Sequence, residues 1–169
     1  VTASGSSKQR MQRLQENMQR LNLRVTCSVA DIRKLADTTL YDIVVLDAPC
    51  SATGTMRRHP DLAHLKSAGQ IDKLTAVQRE FMDSAARRVK PGGSLLYCVC
   101  SLLPAEGEDQ ANEFLQNNRE FSLKPGEGSQ IGDQSQFLTN EGYLRTLPSM
   151  SIGEHQALDG FFAAHFVRH

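Results

Sequence analysis

Two kinds of apolar pattern divide the chain. Residues 41–46 and 94–100 are short, nearly continuous apolar runs rich in Val, Ile, Leu and Tyr and bounded by turn formers, which predicts buried parallel strands rather than helices. Elsewhere the apolar positions recur at three- and four-residue intervals. Met11, Leu14, Met18 and Leu21 are interleaved with Lys8, Arg10, Arg13, Glu16 and Arg20, the pattern of an amphipathic helix that follows the turn and cap Ser4-Gly5-Ser6-Ser7 and ends near Asn22. Leu74, Val77, Phe81, Ala85 and Val89 keep the same period over 71–89, and Lys90-Pro91-Gly92-Gly93 stops it. Pro104-Ala105-Glu106-Gly107-Glu108 opens a third helix with Ala111, Phe114 and Leu115 toward the core, since proline and acidic residues suit a first turn.

Shorter β-like pieces fill the remainder. Val1-Thr2-Ala3 reads as a strand already under way, residues 24–29 alternate up to Ala30-Asp31, and further pieces lie at 121–123, 143–147 and 160–167 around a Gly/Ser/Gln/Asp loop over 126–142. The order βαβ-β-αβ-αβ predicts an α/β fold, a doubly wound parallel sheet with a late antiparallel hairpin. A chain of 169 residues suits a single domain, 1–169, that buries roughly 70% of its unfolded surface.

Composition narrows the partners. Lys plus Arg and Asp plus Glu each total 19, so the formal charge is zero and the domain as a whole is no electrostatic glove for nucleic acid. Any RNA affinity of the isolated chain should therefore be weak and strongly salt-dependent. Cysteines at 27, 50, 98 and 100 contain no Cys-x-x-Cys pair, which argues against a zinc cage; without a secretory signal they fit free thiols in a reducing cytoplasm. No apolar run approaches the ~18 residues of a membrane span, which reads as a soluble protein.

Ligands of open α/β sheets bind at the carboxyl ends of the strands. Residues 41–46 and 94–100 would there bring Asp47, Cys50 and Cys100 around one crevice. A strand-end thiol can be a nucleophile, although most free cysteines are small buried hydrophobes. Cys27, inside a strand, and Cys98, deeper than Cys100, read as core. Asp47 and Asp31 each end a strand, where a carboxylate either braces a loop or takes a catalytic or ligand role. Arg57-Arg58-His59 is either a phosphate contact or a solvated loop. Pro91-Gly92-Gly93 precedes a strand and reads as a turn, not a phosphate cradle.

Asp47-Ala48-Pro49-Cys50-Ser51-Ala52-Thr53-Gly54, followed by Arg57-Arg58-His59-Pro60-Asp61, Val99-Cys100-Ser101-Leu102 and Pro104-Ala105-Glu106-Gly107-Glu108, resembles the RNA cytosine-5 methyltransferases, in particular the bacterial 16S ribosomal RNA enzymes of the Sun (Fmu) group. The resemblance runs from Val1-Thr2-Ala3 to Asp159-Gly160-Phe161-Phe162. It implies a Rossmann-like class I methyltransferase sheet, S-adenosylmethionine as donor and RNA, specifically ribosomal RNA, as substrate, with no metal and no membrane. Cys100 is implied to be the nucleophile that adds to carbon 6 of cytosine, Asp47 to share a proton near ring nitrogen 3, and Cys50 to assist product release. Asp31, Asp47 and Pro49 are implied to contact the cofactor, and Arg57, Arg58 and His59 the RNA.

Two departures temper that reading. Gly5 stands where the family carries an acidic residue for the cofactor ribose, and the family's first strand and Gly-rich cofactor loop have no counterpart in the sequence. The expectation is the carboxyl-terminal part of a catalytic domain, with self-association through an incomplete sheet as a consequence. Two other classes stay open: a non-catalytic RNA- or partner-binding remnant, and a methyltransferase of another substrate. DNA cytosine methylases use the Pro-Cys thiol, here Cys50, as nucleophile.

Overall fold

The computed structural model describes residues 1–35, 38–62 and 68–169, which divide into two compact units, Val1–Thr39 and Leu40–His169. The first unit holds β1 (Thr2–Gly5), α1 (Lys8–Arg20) and β2 (Thr26–Val29), with β1 and β2 paired in parallel from Thr2 opposite Thr26 to Gly5 opposite Val29. Ser7 caps α1 by accepting from the Arg10 amide at 3.3 Å. Met11 is the buried member of the helix's apolar stripe, and its sulfur lies against Gly5.

The second unit holds β3 (Tyr41–Asp47), α2 (Ala68–Ala86), β4 (Val89–Val99), α3 (Glu108–Asn117), β5 (Phe121–Leu123), β6 (Leu144–Thr146) and β9 (Phe161–Arg168). A small hairpin of β7 (Ser151–Ile152) with β8 (His155–Gln156), which the sequence pattern did not signal, stands outside the main sheet. The sheet runs β3-β4-β9-β5, with β6 also on β9; β3 and β4 are parallel, and β9 is antiparallel to β4, β5 and β6. This is the expected parallel sheet with a late antiparallel addition.

Register decides which side chains share a face. Leu95 lies opposite Phe166, Tyr97 opposite Ala164 and Val99 opposite Phe162, and all six are 0–1% exposed. The β3 residues Val44 and Leu46, level with Leu95 and Tyr97, continue this face, which α2 covers. Aromatic rings lock the sheet to α3 and β6: Phe114 meets Phe121 and Phe166 with centroids 5.2 and 4.8 Å apart, and Tyr143 meets Phe162 at 5.3 Å. Burial on both faces of β3 was expected, yet Ile43 and Val45 are 67% and 64% exposed. Only their alternate neighbours point toward the helix.

Boundaries also move. The helix expected over 71–89 ends at Ala86, and Val89 becomes a fully buried first residue of β4. Lys90-Pro91-Gly92-Gly93 is a bulge within the strand: Tyr41 pairs with Val89, and Ile43 already pairs with Ser94. Glycine is required there because Gly92 has φ +77° and a Cβ on Gly93 would lie 2.8 Å from the Asp42 carbonyl. The buried residues of α2 are Thr75, Gln78, Met82, Ser84, Ala85 and Ala86, displaced from the expected stripe because polar side chains also turn inward.

Gly54 joins the two ends of this unit. Its amide donates to the Cys100 carbonyl at 3.1 Å, its carbonyl accepts from the Gly160 amide at 2.8 Å, and a side chain would overlap the Gly160 backbone. Gly54→Ala should lower stability by about 1–3 kcal/mol through overpacking. Gly69→Ala, where a Cβ meets nothing within 4 Å in α2, should be neutral or gain up to about 1 kcal/mol. Denaturant midpoints of the two variants check the contrast.

Candidate active site

Where β3 and β4 end, the chain turns into two loops, 48–54 and 100–103, and backbone hydrogen bonds stitch them together. The Ala48 amide donates to the Cys98 carbonyl at 3.0 Å, as Gly54 does to Cys100. Ala52 sits in the left-handed region at φ 58°, an unusual state for a residue with a side chain, and reverses the chain just after Cys50 and Ser51. The Thr55 amide and hydroxyl both donate to its carbonyl at 2.9 Å.

One carboxylate holds both loops. Glu106 is 0% exposed and accepts from the Ser51 amide at 2.9 Å, the Ser51 hydroxyl at 2.5 Å, the Ser101 hydroxyl at 2.6 Å and the Gln78 amide nitrogen at 3.0 Å. These donors occupy the acceptor positions of the two oxygens. Gln78 also donates to the Pro49 carbonyl at 2.9 Å, so α2 is tied to the same loop. Thr53 accepts from the Leu102 amide at 3.0 Å, and its hydroxyl lies 3.1 Å from that of Ser101. Tyr97, itself fully buried, donates to the Glu106 carbonyl at 2.6 Å. From the far side, Arg145 donates to the Ser101 carbonyl at 2.7 Å, pairs with Glu108 and stacks on Phe162.

Ser51 follows Cys50, and Ser101 follows Cys100. Fixing the serines therefore fixes the thiols, whose sulfurs lie 3.5 Å apart, both half-buried. The hydrogen bond from Cys50 holds the Cys100 thiol down at about 7, although burial and the Asp47 and Glu106 carboxylates push the other way. Cys50, which keeps the proton, is raised by that same bond and by burial. Cys98 is buried, and its enclosure and Asp47 push it up to about 11. All four cysteines are free thiols, as expected. This geometry supplies one stabilised thiolate and, beside it, one proton donor.

The other expected site residues divide clearly. Asp47 ends β3 level with Cys98, exposed, with no side-chain partner among the described residues. Pro49 is exposed, and its carbonyl anchors the loop. Arg57, Arg58 and His59 form an exposed turn, with Arg58 paired to Asp159. Asp31 belongs to the first unit. Arg33 binds its carboxylate through backbone and guanidinium, at 3.0 Å from the amide and 2.7 Å from Nη2, and that bonding holds it down at about 2. In the sequence Glu106 stands out as a first-turn acid and as part of the Pro104–Glu108 family motif, without an anchoring role, and Gln78 does not stand out at all. A polar residue four positions after Leu74 and four before Met82, on an apolar helix face, was the available signal.

The family described as 16S rRNA methyltransferase RsmB/F matches residues 1–167 of the chain. A ribosomal RNA small subunit methyltransferase B from Salmonella arizonae is 37% identical over 172 residues, which cover 99% of this chain and 36% of the relative. The crystal structure of PH0851 superposes with TM-score 0.85 at 34% identity, covering 98% of this chain and 36% of that one. NSun6 from Pyrococcus horikoshii, solved with SFG, gives TM-score 0.78 at 27% identity, covering 99% and 41%. The chain thus spans about a third of the length of the curated relatives it matches.

Glu106→Ala would strand four buried donors, so a loss on the order of 3 kcal/mol is expected, at 1–3 kcal/mol per unsatisfied group with partial relaxation. Denaturant unfolding measures it; a loss under about 1 kcal/mol would remove the carboxylate from its central place. Alkylation of Cys100, followed by iodoacetamide labelling and peptide mass spectrometry, should rise with a midpoint at about pH 7. Because the Cys50 bond favours the anion, Cys50→Ala should move that midpoint up. A one-unit rise would cut labelling at pH 7 roughly fivefold and leave it unchanged well above pH 9. An unmoved midpoint would show that the pairing does not set the charge.

Proposed function

The chain belongs to the 16S rRNA methyltransferase RsmB/F family, and from that premise we propose that it takes part in transferring a methyl group from S-adenosylmethionine to carbon 5 of cytosine in RNA, with ribosomal RNA as substrate and Cys100 as nucleophile. The observation that carries this reading is the thiol pair: Cys50 beside Cys100 at 3.5 Å, with the negative charge favoured on Cys100.

Carbon 5 of cytosine is a poor nucleophile. Addition of the Cys100 thiolate to carbon 6 makes carbon 5 enamine-like and able to accept a methyl group, so covalent catalysis supplies the electrons that the ring lacks. The bound cofactor would supply that methyl group as an electrophilic sulfonium. Asp47, exposed at the strand end, is available to share a proton at ring nitrogen 3 as charge builds during addition. A base takes the proton from carbon 5, its electron pair re-forms the carbon 5–carbon 6 double bond and the Cys100 sulfur leaves as thiolate, a release that we read Cys50, 3.5 Å from that sulfur, as assisting.

Asp47, at the end of β3 and with no side-chain partner among the described residues, is a candidate to contact the donor, and Asp31, two residues beyond β2 in the first unit, is the second candidate that the family resemblance implies. Arg33 already holds both Asp31 oxygens, with two donors on each, so a cofactor contact there would have to share or displace that bonding. The turn at Arg57, Arg58 and His59 is exposed and could meet phosphates of an unstacked strand.

Trapping separates the readings. With S-adenosylmethionine and a 16S rRNA transcript containing 5-fluorocytosine, the chain should form a covalent adduct stable on a denaturing gel. Cys100→Ala should abolish it, and Cys50→Ala should retain it. Loss in Cys50→Ala alone would make Cys50 the nucleophile and point to the DNA-type mechanism. No adduct from the parent chain, together with no calorimetric binding of S-adenosylmethionine, would support a non-catalytic module.

A further inference from the structure

The thiol pair has a reactivity that methyl transfer does not use. We propose that Cys100 and Cys50 form a hydroperoxide-reactive modification site, in which Cys100 is oxidised first and Cys50 resolves it as a reversible disulfide. This goes beyond the methyltransferase reading and does not depend on RNA or on a methyl donor.

Three observations carry it. The two sulfurs are 3.5 Å apart, so a bond of about 2.05 Å needs roughly 1.5 Å of approach, within reach of small side-chain rotations. Both side chains are half-buried, open enough for a small oxidant to arrive. The loops behind them are held through Ser51, Ser101 and Glu106, so the sulfurs meet repeatedly in one arrangement. Cys27 belongs to the other compact unit, and Cys98 is buried. The favoured charge on Cys100 assigns the order of events.

The chemistry balances with one hydroperoxide. The Cys100 thiolate attacks the peroxide oxygen; an S–O bond forms and the O–O bond breaks. The leaving oxygen takes a proton and departs as water or alcohol. Sulfur is oxidised to a sulfenic acid, and the peroxide is reduced. Cys50 then loses its proton and attacks the Cys100 sulfur; the S–S bond forms, the S–O bond breaks and the hydroxyl leaves as water with that proton. A thiol reductant restores both cysteines. While the disulfide lasts, Cys100 cannot add to anything, so oxidation would switch the site off and prevent its irreversible loss to sulfinic acid.

The test treats the full chain with stepwise hydrogen peroxide and reads intact mass, tryptic peptides and non-reducing gels, with no RNA present. The expected result is loss of two hydrogens, a Cys50–Cys100 cross-linked peptide, monomeric migration and full reversal by dithiothreitol. In Cys50→Ser, Cys100 should instead gain two oxygens and resist dithiothreitol. Cys98→Ser should behave as the parent, while Cys100→Ser should lose the early reaction. The proposal is overturned if the parent gains oxygens without cross-linking, if Cys27 or Cys98 reacts first, or if the cross-link joins two chains. Because no methyl transfer is measured, failure here leaves the RNA reading standing, and failure of the trapping experiment leaves this one standing.

Discussion

A single buried carboxylate sets the geometry on which everything else at this site depends. Burying a carboxylate without compensation costs several kcal/mol, and the cost is tolerable only when its lone pairs are filled. Glu106 meets that condition with donors from three stretches of chain: Ser51 in the loop after β3, Ser101 in the loop after β4 and Gln78 from α2. Such an arrangement cannot relax piecemeal, because moving either loop strands donors of the other. Two cysteines 50 positions apart in sequence are thereby held as near neighbours. The backbone pairings of Gly54 with Cys100 and Gly160 enforce the same constraint, through a position where no side chain fits.

The difference between the two thiols follows from that frame. Identical groups in contact share one charge more easily than they carry two, so one sulfur is pushed up and the other down. Here the charge goes to Cys100, and Cys50 serves it as donor. Cys98, two residues earlier within β4, is more enclosed, and burial and Asp47 push its thiol up to about 11. If both proposals hold, the contact that prepares the nucleophile also prepares the disulfide, and chemistry on a base and chemistry with an oxidant would compete for one pair of atoms.

Much of this was legible in the sequence, for physical reasons that differ residue by residue. The strands at 41–46 and 94–100 announce themselves because a buried strand must be apolar where it faces a helix, and their ends locate Asp47, Cys50 and Cys100. The bulge over Lys90-Pro91-Gly92-Gly93 did not, since Pro-Gly-Gly is the usual full stop of a helix and only the pairing of Tyr41 with Val89 reveals a strand already running. The one-sided burial of β3 is equally invisible, because Ile43 and Val45 are as apolar as their buried neighbours. Glu106 and Gln78 were hidden for a deeper reason. A carboxylate in a first helical turn and an amide on a helix both have ordinary solvent-facing explanations, and only three-dimensional convergence reveals an anchor.

Glu106, Gln78, Ser51, Ser101 and both reactive thiols all lie in the unit from Leu40 to His169, whereas Asp31 and its Arg33 partner lie in Val1–Thr39. The described groups that distinguish Cys100 from Cys50, the Asp47 and Glu106 carboxylates and the thiol contact itself, belong to the second unit. In the mechanism proposed above, addition of Cys100 to a base would draw on groups of the second unit, and a change at Glu106 would disturb the position from which that step and methyl transfer both begin.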